Sequence, residues 1–358
     1  MSVSIRSGFE RIPSYRAGKP AKLGPDGLSA KLSSNENPYE PLPSVLDALA
    51  AALPTSVNRY PSIAAPELTA ALAARLGVEP ENLAFGAGSV EVASQLIHAL
   101  AGAGDEVMYA WRSFEAYPIL VQLAGATPVQ VPLDVDGKHD LPAMADAITE
   151  RTKLIFVCNP NNPTGTVVTQ AEVEQFLSRV PDHVLVVLDE AYVHFNVDTD
   201  SADGLDFFKR FTNVAVLHTF SKAYGLAGLR LGYAVAPPEV ADALRKAAVP
   251  FGLSALAQAG GVASLAAEGE LQERVDILVD ERERVTTALR AAGLPVIDSQ
   301  ANFVWIPAGE ASDALASVYA DRGVSVRCFS GDGIRISVGA RHENDAVIEV
   351  SEAAAALL

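Results

Sequence analysis

From about residue 80 to residue 237 the chain alternates short, unbroken apolar runs with stretches of helical periodicity, punctuated by glycine and proline. Leu83-Ala84-Phe85 leads through Gly86-Ala87-Gly88 into a helix predicted over Val90–Leu100. Glu106–Ala110 reads as a strand, followed by a helix from about Phe114 to Leu123, then Val129–Val131 and an acidic helix near Leu141–Ile148. Three further apolar runs follow, Lys153–Cys158, Val184–Leu188 and Val214–Leu217, and Thr169-Gln170-Ala171-Glu172 has the form of a capping box. Strands with no polar alternation, separated by helices, predict an α/β fold whose mostly parallel sheet is sandwiched by helices.

The pattern changes toward the C-terminus. A charged helical stretch runs from about Leu271 to Ala291 and is too polar on one face to be buried. Asn302–Ile306, a helix, Val324–Arg327, Ile334–Val338 and a final helix then read as a smaller α+β unit. The expected division is an N-terminal arm (1–40) belonging to the small unit, a large domain (41–265) and a C-terminal small domain (266–358).

Bulk properties exclude several classes. At 358 residues, 49% of them hydrophobic and 20% charged, the chain can bury an ordinary globular core. A net charge of −17 argues against a nucleic-acid partner, which needs a basic face. The N-terminus has no apolar signal core, and no run approaches the roughly 18 apolar residues of a membrane span, so a cytoplasmic protein without membrane contact is expected. Cys158 and Cys328 lie in apolar, strand-like runs, which suits buried free thiols. The six histidines lack metal-ligand spacing, and no metal is expected. Gly86–Glu91 lacks the third glycine of a dinucleotide fingerprint, and there is no Walker-type loop.

The informative chemistry sits where apolar runs end. Cys158 is followed by Asn159-Pro160-Asn161-Asn162-Pro163-Thr164-Gly165, a turn stiffened by its prolines. Leu188 runs into Asp189-Glu190-Ala191-Tyr192, and Leu217 into His218-Thr219-Phe220-Ser221-Lys222, with Gly225, Gly228 and Arg230 beyond. In open α/β sheets, ligands bind at the C-terminal ends of strands. A lysine among hydroxyls, with an arginine nearby, can condense with an aldehyde while the other groups hold an anion. Pyridoxal phosphate presents both an aldehyde and a phosphate.

On these segments, together with Ser34-Asn35-Glu36-Asn37-Pro38, Asn58-Arg59-Tyr60-Pro61 and Arg335-Ile336-Ser337-Val338-Gly339, the chain resembles the pyridoxal-phosphate-dependent aminotransferases of fold type I. Within them it is similar to the branch of histidinol-phosphate aminotransferase and its aromatic relatives. The resemblance implies an enzyme in which Lys222 carries the cofactor and moves the substrate proton. It also implies that Asp189 faces the ring nitrogen, that Tyr192 and Asn162 bond the ring's phenolic oxygen, and that Phe114 stacks on the ring. Gly88, Ser89 and Val90 at a helix start, with Thr219, Ser221 and Arg230, would hold the phosphate. Tyr60 would reach the phosphate of a neighbouring subunit, making a homodimer with shared sites. Arg335 would clamp the substrate carboxylate, and Asn35 and Tyr15 of the arm would cover the substrate side.

Trp111-Arg112-Ser113-Phe114-Glu115-Ala116-Tyr117-Pro118 resembles the aromatic (phenylalanine) aminotransferases more than the histidine-pathway enzymes. The expected reaction exchanges the amino group between phenylalanine, tyrosine or tryptophan and 2-oxoglutarate by a ping-pong route. The alternative is histidinol-phosphate aminotransferase. A decarboxylase of phosphothreonine shares the same cofactor clamp and stands further off.

Overall fold

The computed structural model describes residues 3–358. Its strands, in chain order, are β1 (Ala30–Lys31), β2 (Leu83–Gly86), β3 (Glu106–Trp111), β4 (Thr127–Pro132), β5 (Thr152–Cys158) and β6 (Leu185–Asp189). They continue with β7 (Val214–Thr219), β8 (Gly232–Val235), β9 (Phe303–Pro307), β10 (Val324–Ser325), β11 (Arg327–Phe329) and β12 (Gly333–Ser337). Seven of them form the main sheet in the order β2-β8-β7-β6-β5-β3-β4.

From β4 to β7 every pairing is parallel, and β8 runs antiparallel between β7 and β2. Parallel neighbours need a crossover, usually a helix. Between β7 and β8 there is only a short 3-10 turn, Ala227–Leu229. The chain therefore doubles back at the C-terminal end of β7, and the Ser221–Arg230 loop stays at that edge.

The strand residues alternate between two cores. Val107, Tyr109, Leu154, Phe156, Val187 and Leu217 pack with Val92 and Leu96 of the helix Ser89–Leu100. Met108, Ile155, Val157, Val186 and Leu188 pack against Met144, Val173 and Phe176 on the other face. Both faces are covered, so the strands carry no polar alternation.

A second, antiparallel sheet has the order β11-β12-β9, and the arm joins this region through β1, which pairs in parallel with β10. The predicted strand Val324–Arg327 is two short strands, one serving the arm and one serving β12. The helix expected from Phe114 starts at Ala116.

The long helix Glu268–Ala291 leaves a polar face exposed, as expected, and yet draws two charged residues into the interior. Glu281 and Arg282 are buried. Arg282 donates to the carbonyls of Phe195 and Ala301, and Glu281 accepts from Arg284, Arg341 and Asn344. Polar residues can be buried when every group finds such a partner. Cys158 is buried, whereas Cys328 is only half-buried, and both are free. Among the described residues no helix is long and apolar enough to cross a membrane.

Candidate active site

Cys158, Asp189 and Leu217 lie at or near the ends of adjacent parallel strands and in neighbouring register. The segments that follow them therefore converge. Asn162, Tyr192 and Lys222 line one cleft of about 140 Å³ with Tyr15, Asn35, Phe114 and Arg335. Asp189 lies buried beneath, at the end of β6.

Lys222 is half-buried, and its Nζ donates to the backbone carbonyl of Asn35 at 3.2 Å. Burial first, and the nearby Arg335 guanidinium second, bring its pKa down to about 8. Burial pushes the Asp189 carboxyl up to about 6, opposed by a hydrogen bond from Tyr117 and by the charge of Lys222. Tyr192 is buried, and burial raises its phenol. Its hydroxyl oxygen accepts from Asn35 Nδ2 at 3.1 Å, so its own proton is left to donate. The same constraint fixes Asn162. Its Oδ1 accepts from Arg335 Nη1 at 2.6 Å, leaving its amide N–H groups free to donate.

Arg335, on β12, is buried. Its Nη2 donates to the Ser33 carbonyl at 3.0 Å, and its Nε has no partner among the described residues. No carboxylate pairs with it among the described residues. A buried guanidinium so placed has a site ready for a carboxylate from outside.

The anion cradle is built from two close approaches. Gly88 has φ +87°, and a Cβ there would collide with Nη2 of Arg230, while a Cβ on Gly232 would strike the backbone of Ser89. The helix starting at Ser89 has no side-chain cap at Gly88, and the N–H groups of Ser89 and Val90 have no acceptor among the described residues. Thr219 Oγ1 donates to Ser221 Oγ at 3.0 Å, and Arg230 Nη1 reaches that same oxygen at 3.4 Å. Arg230 itself sits at φ +59°, unusual for a non-glycine residue, and has no carboxylate partner among the described residues. An uncompensated guanidinium, free N–H groups and hydroxyls around a glycine floor fit a phosphate.

The remaining expected residues divide. Phe114 lines the cleft, edge-on to Tyr117. Tyr15 lines it from the arm. Asn35 lines it too, but its amide is committed: Nδ2 serves Tyr192 and Oδ1 accepts from Ser337. It braces the site and keeps one amide N–H that these bonds do not use. Tyr60 lies outside the cleft of its own chain, 82% exposed and stacked on Phe251.

Two partners went unassigned from sequence. Arg327 forms a bidentate pair with Glu115, Nη2 to Oε1 at 2.8 Å and Nε to Oε2 at 3.0 Å, and on β11 it stands directly opposite Arg335. Tyr117 donates to Asp189 Oδ2 at 2.6 Å. Both Glu115 and Tyr117 lie in the Trp111–Pro118 segment, but nothing local signals their distant partners.

The family of class I and II aminotransferases matches residues 29–353. The chain belongs to the class I and II aminotransferases. An aromatic amino acid aminotransferase of Streptomyces coelicolor is 58% identical over 98% of this chain and 97% of that protein. A protein of the same name from Thermobifida fusca is 55% identical over 97% of this chain and 96% of its own length. Among solved structures, histidinol-phosphate aminotransferase of Sinorhizobium meliloti in complex with pyridoxal-5'-phosphate superposes with a TM-score of 0.85 at 29% identity, covering 92% of this chain and 91% of that one. In this aminotransferase, the lysine, the buried aspartate and the anion cradle thus stand at the strand ends that the fold makes available.

Proposed function

We propose that this aminotransferase exchanges amino groups between aromatic amino acids (phenylalanine, tyrosine or tryptophan) and 2-oxoglutarate, in ping-pong fashion, using pyridoxal phosphate held at Lys222. The observation that carries the reading is the convergence of Lys222, Asp189, Asn162 and Tyr192 beside the glycine-floored cradle of Gly88, Ser89, Thr219, Ser221 and Arg230. The aromatic preference is supported by the relatives that carry that name and by a chamber of about 920 Å³ next to the cleft. Trp111, Ile119 and Phe329 give that chamber an apolar wall suited to a ring.

Bound pyridoxal phosphate supplies an electron sink that stabilises the carbanion left when the substrate's α-proton departs. The chain's residues do the rest. With its pKa near 8, Lys222 is neutral in roughly a tenth of molecules at pH 7, enough to take up and return that proton. Asp189 would hold a proton at the ring nitrogen. Tyr192 and Asn162, whose oxygens already accept hydrogen bonds, keep N–H and O–H donors to offer, which fits an oxyanion between them. Arg335 would take the α-carboxylate, and the Lys222 anchor on Asn35 aims Nζ toward the same space.

Tyr60, Ile63, Val249 and Phe251 form an exposed apolar group outside the cleft. It supports a homodimer in which Tyr60 reaches the partner's cradle, and exposed apolar groups of this kind mark interfaces. With this reading goes the division into arm (1–40), large domain (41–265) and small domain (266–358). Arg327, opposite Arg335, keeps histidinol phosphate in view as the second substrate class. The test is a single half-reaction, the loss of the bound cofactor's absorbance on mixing with phenylalanine, tyrosine, tryptophan or histidinol phosphate. Faster conversion by the aromatic amino acids is expected. A large advantage for histidinol phosphate would overturn the substrate assignment.

A further inference from the structure

Tyr117 is a buried phenol to which the reaction as described gives no part. It lies in the first turn of the helix Ala116–Ala124. Its ring stacks on Phe156 of β5, with centroids 4.6 Å apart at 16°, and meets Phe114 edge-on at 5.5 Å. Its hydroxyl reaches Asp189 Oδ2 at 2.6 Å, the short range of an O–H donor on a carboxylate. The other carboxylate oxygen, Oδ1, has only a 3.3 Å bond from the Ala191 N–H.

Every element around Asp189 can be accounted for. Cys158 faces it from β5, its thiol pushed up by burial. Glu190 and Tyr192 follow on its own segment, both raised by burial and so protonated near neutral pH. Lys222 approaches from the loop after β7 and brings a positive charge to bear on it. Tyr117, from the helix, supplies its strong hydrogen bond. Without that donor, burial would press the carboxylate toward its protonated form, with the charge of Lys222 and the Ala191 N–H left to oppose it.

We propose that Tyr117 is a positioning residue: its hydroxyl keeps Asp189 ionised and aimed at the cofactor's ring nitrogen, while its ring braces Phe114 against the ring face. The inference rests on the reading of the site as a pyridoxal-phosphate site. The proton stays on Tyr117 throughout. What it changes is where the proton shared by Asp189 and the ring nitrogen resides, and a stabilised carboxylate leaves that proton on nitrogen.

The experiment is nitrogen NMR of holoenzyme loaded with pyridoxal phosphate isotopically labelled at the ring nitrogen. In Tyr117→Phe the resonance should move toward that of an unprotonated pyridine. The first half-reaction with phenylalanine should slow by roughly 10- to 100-fold, the worth of one charge-assisted hydrogen bond, with the amino-acid KM little changed. Replacing Tyr117 with a tyrosine fluorinated beside the hydroxyl keeps the packing and strengthens the donor, so the resonance should hold its protonated position and the rate should stay near wild type. This second variant also decides the matter if Tyr117→Phe fails to fold, since it is read alongside a weaker donor, tyrosine methylated at the same ring position. The methylated variant's resonance should lie closer to that of an unprotonated pyridine than the fluorinated variant's, and identical positions for the two would overturn the proposal. Wild-type protein that holds no cofactor in a Lys222-dependent way would instead sink the site reading itself, a result visible before any variant is made.

Discussion

Replacing Arg335 with alanine tests the site at its most committed point. The side chain is buried, with Nη1 on Asn162, Nη2 on the Ser33 carbonyl and Nε unpartnered. Losing a buried charged clamp should weaken amino-acid binding by about 2–5 kcal/mol, or roughly 30- to 5,000-fold in the dissociation constant. Two buried acceptors also lose their donors, at a folding cost of about 1 kcal/mol each. A second consequence follows from charge. After burial, Arg335 is the largest influence holding the Lys222 pKa down near 8. Its removal relieves the ammonium form, so the Lys222 pKa rises part of the way toward its ordinary value. The assay is therefore double. Stopped-flow half-reactions give the amino-acid dissociation constant, and the pH dependence of apoenzyme condensing with pyridoxal phosphate gives the Lys222 midpoint. Both should move, the first to weaker binding and the second to higher pH. Unchanged Michaelis constants for amino and keto acids would refute the clamp, and a midpoint that stays put would refute the electrostatic coupling.

Lys222→Ala should abolish turnover, and absorbance spectra should show any retained cofactor without the lysine-dependent band. Gly88→Ala places a Cβ at φ +87° against the Arg230 guanidinium, so cofactor affinity measured by fluorescence titration should fall by at least about tenfold. Glu190 is held near pKa 8 by burial, above its ordinary 4.5, so wild-type stability should decline as pH rises from about 4.5 to 8. Glu190→Gln keeps an oxygen for the Gly204 N–H and cannot ionise, so its Tm should gain on wild type across that window. Parallel Tm curves for the two proteins would refute the burial argument.

Much of this site was legible in the sequence because its parts are local. Each of Asn162, Asp189 and Lys222 follows an apolar run, and in a parallel sheet consecutive run-ends come to one edge, so chain order alone brings them together. The glycine of the cradle was legible for a similar reason, since it precedes a helix start. What was not legible depends on the chain returning from afar. Glu115 finds Arg327 only because β11 sits beside β12, and Tyr117 finds Asp189 only because its side chain reaches across Phe156 of β5 to the end of β6. The two charges buried by the helix Glu268–Ala291 were illegible for the same reason. Arg282 is tolerable in a core because the carbonyls of Phe195 and Ala301 happen to be there, and no periodicity within the helix announces them.

The distinction bears on what the site can do. Local residues supply the reactive groups, while the distant partners set their protonation and hydrogen-bond direction. Asn35 turns the Tyr192 hydroxyl into a donor, and Arg335 does the same for the Asn162 amide. Both Asn35 and Arg335 belong to segments that meet through Ser337 and the small sheet. A shift of that sheet against the strand ends would therefore change which way Tyr192 and Asn162 donate before it displaced Lys222. Substitutions at Ser337, which accepts from the Asn35 N–H and donates to Asn35 Oδ1, should alter the rate of the half-reaction while leaving cofactor affinity close to wild type. Equal losses in both would mean that the brace supports the whole cleft and has no separate hold on the hydrogen-bond direction.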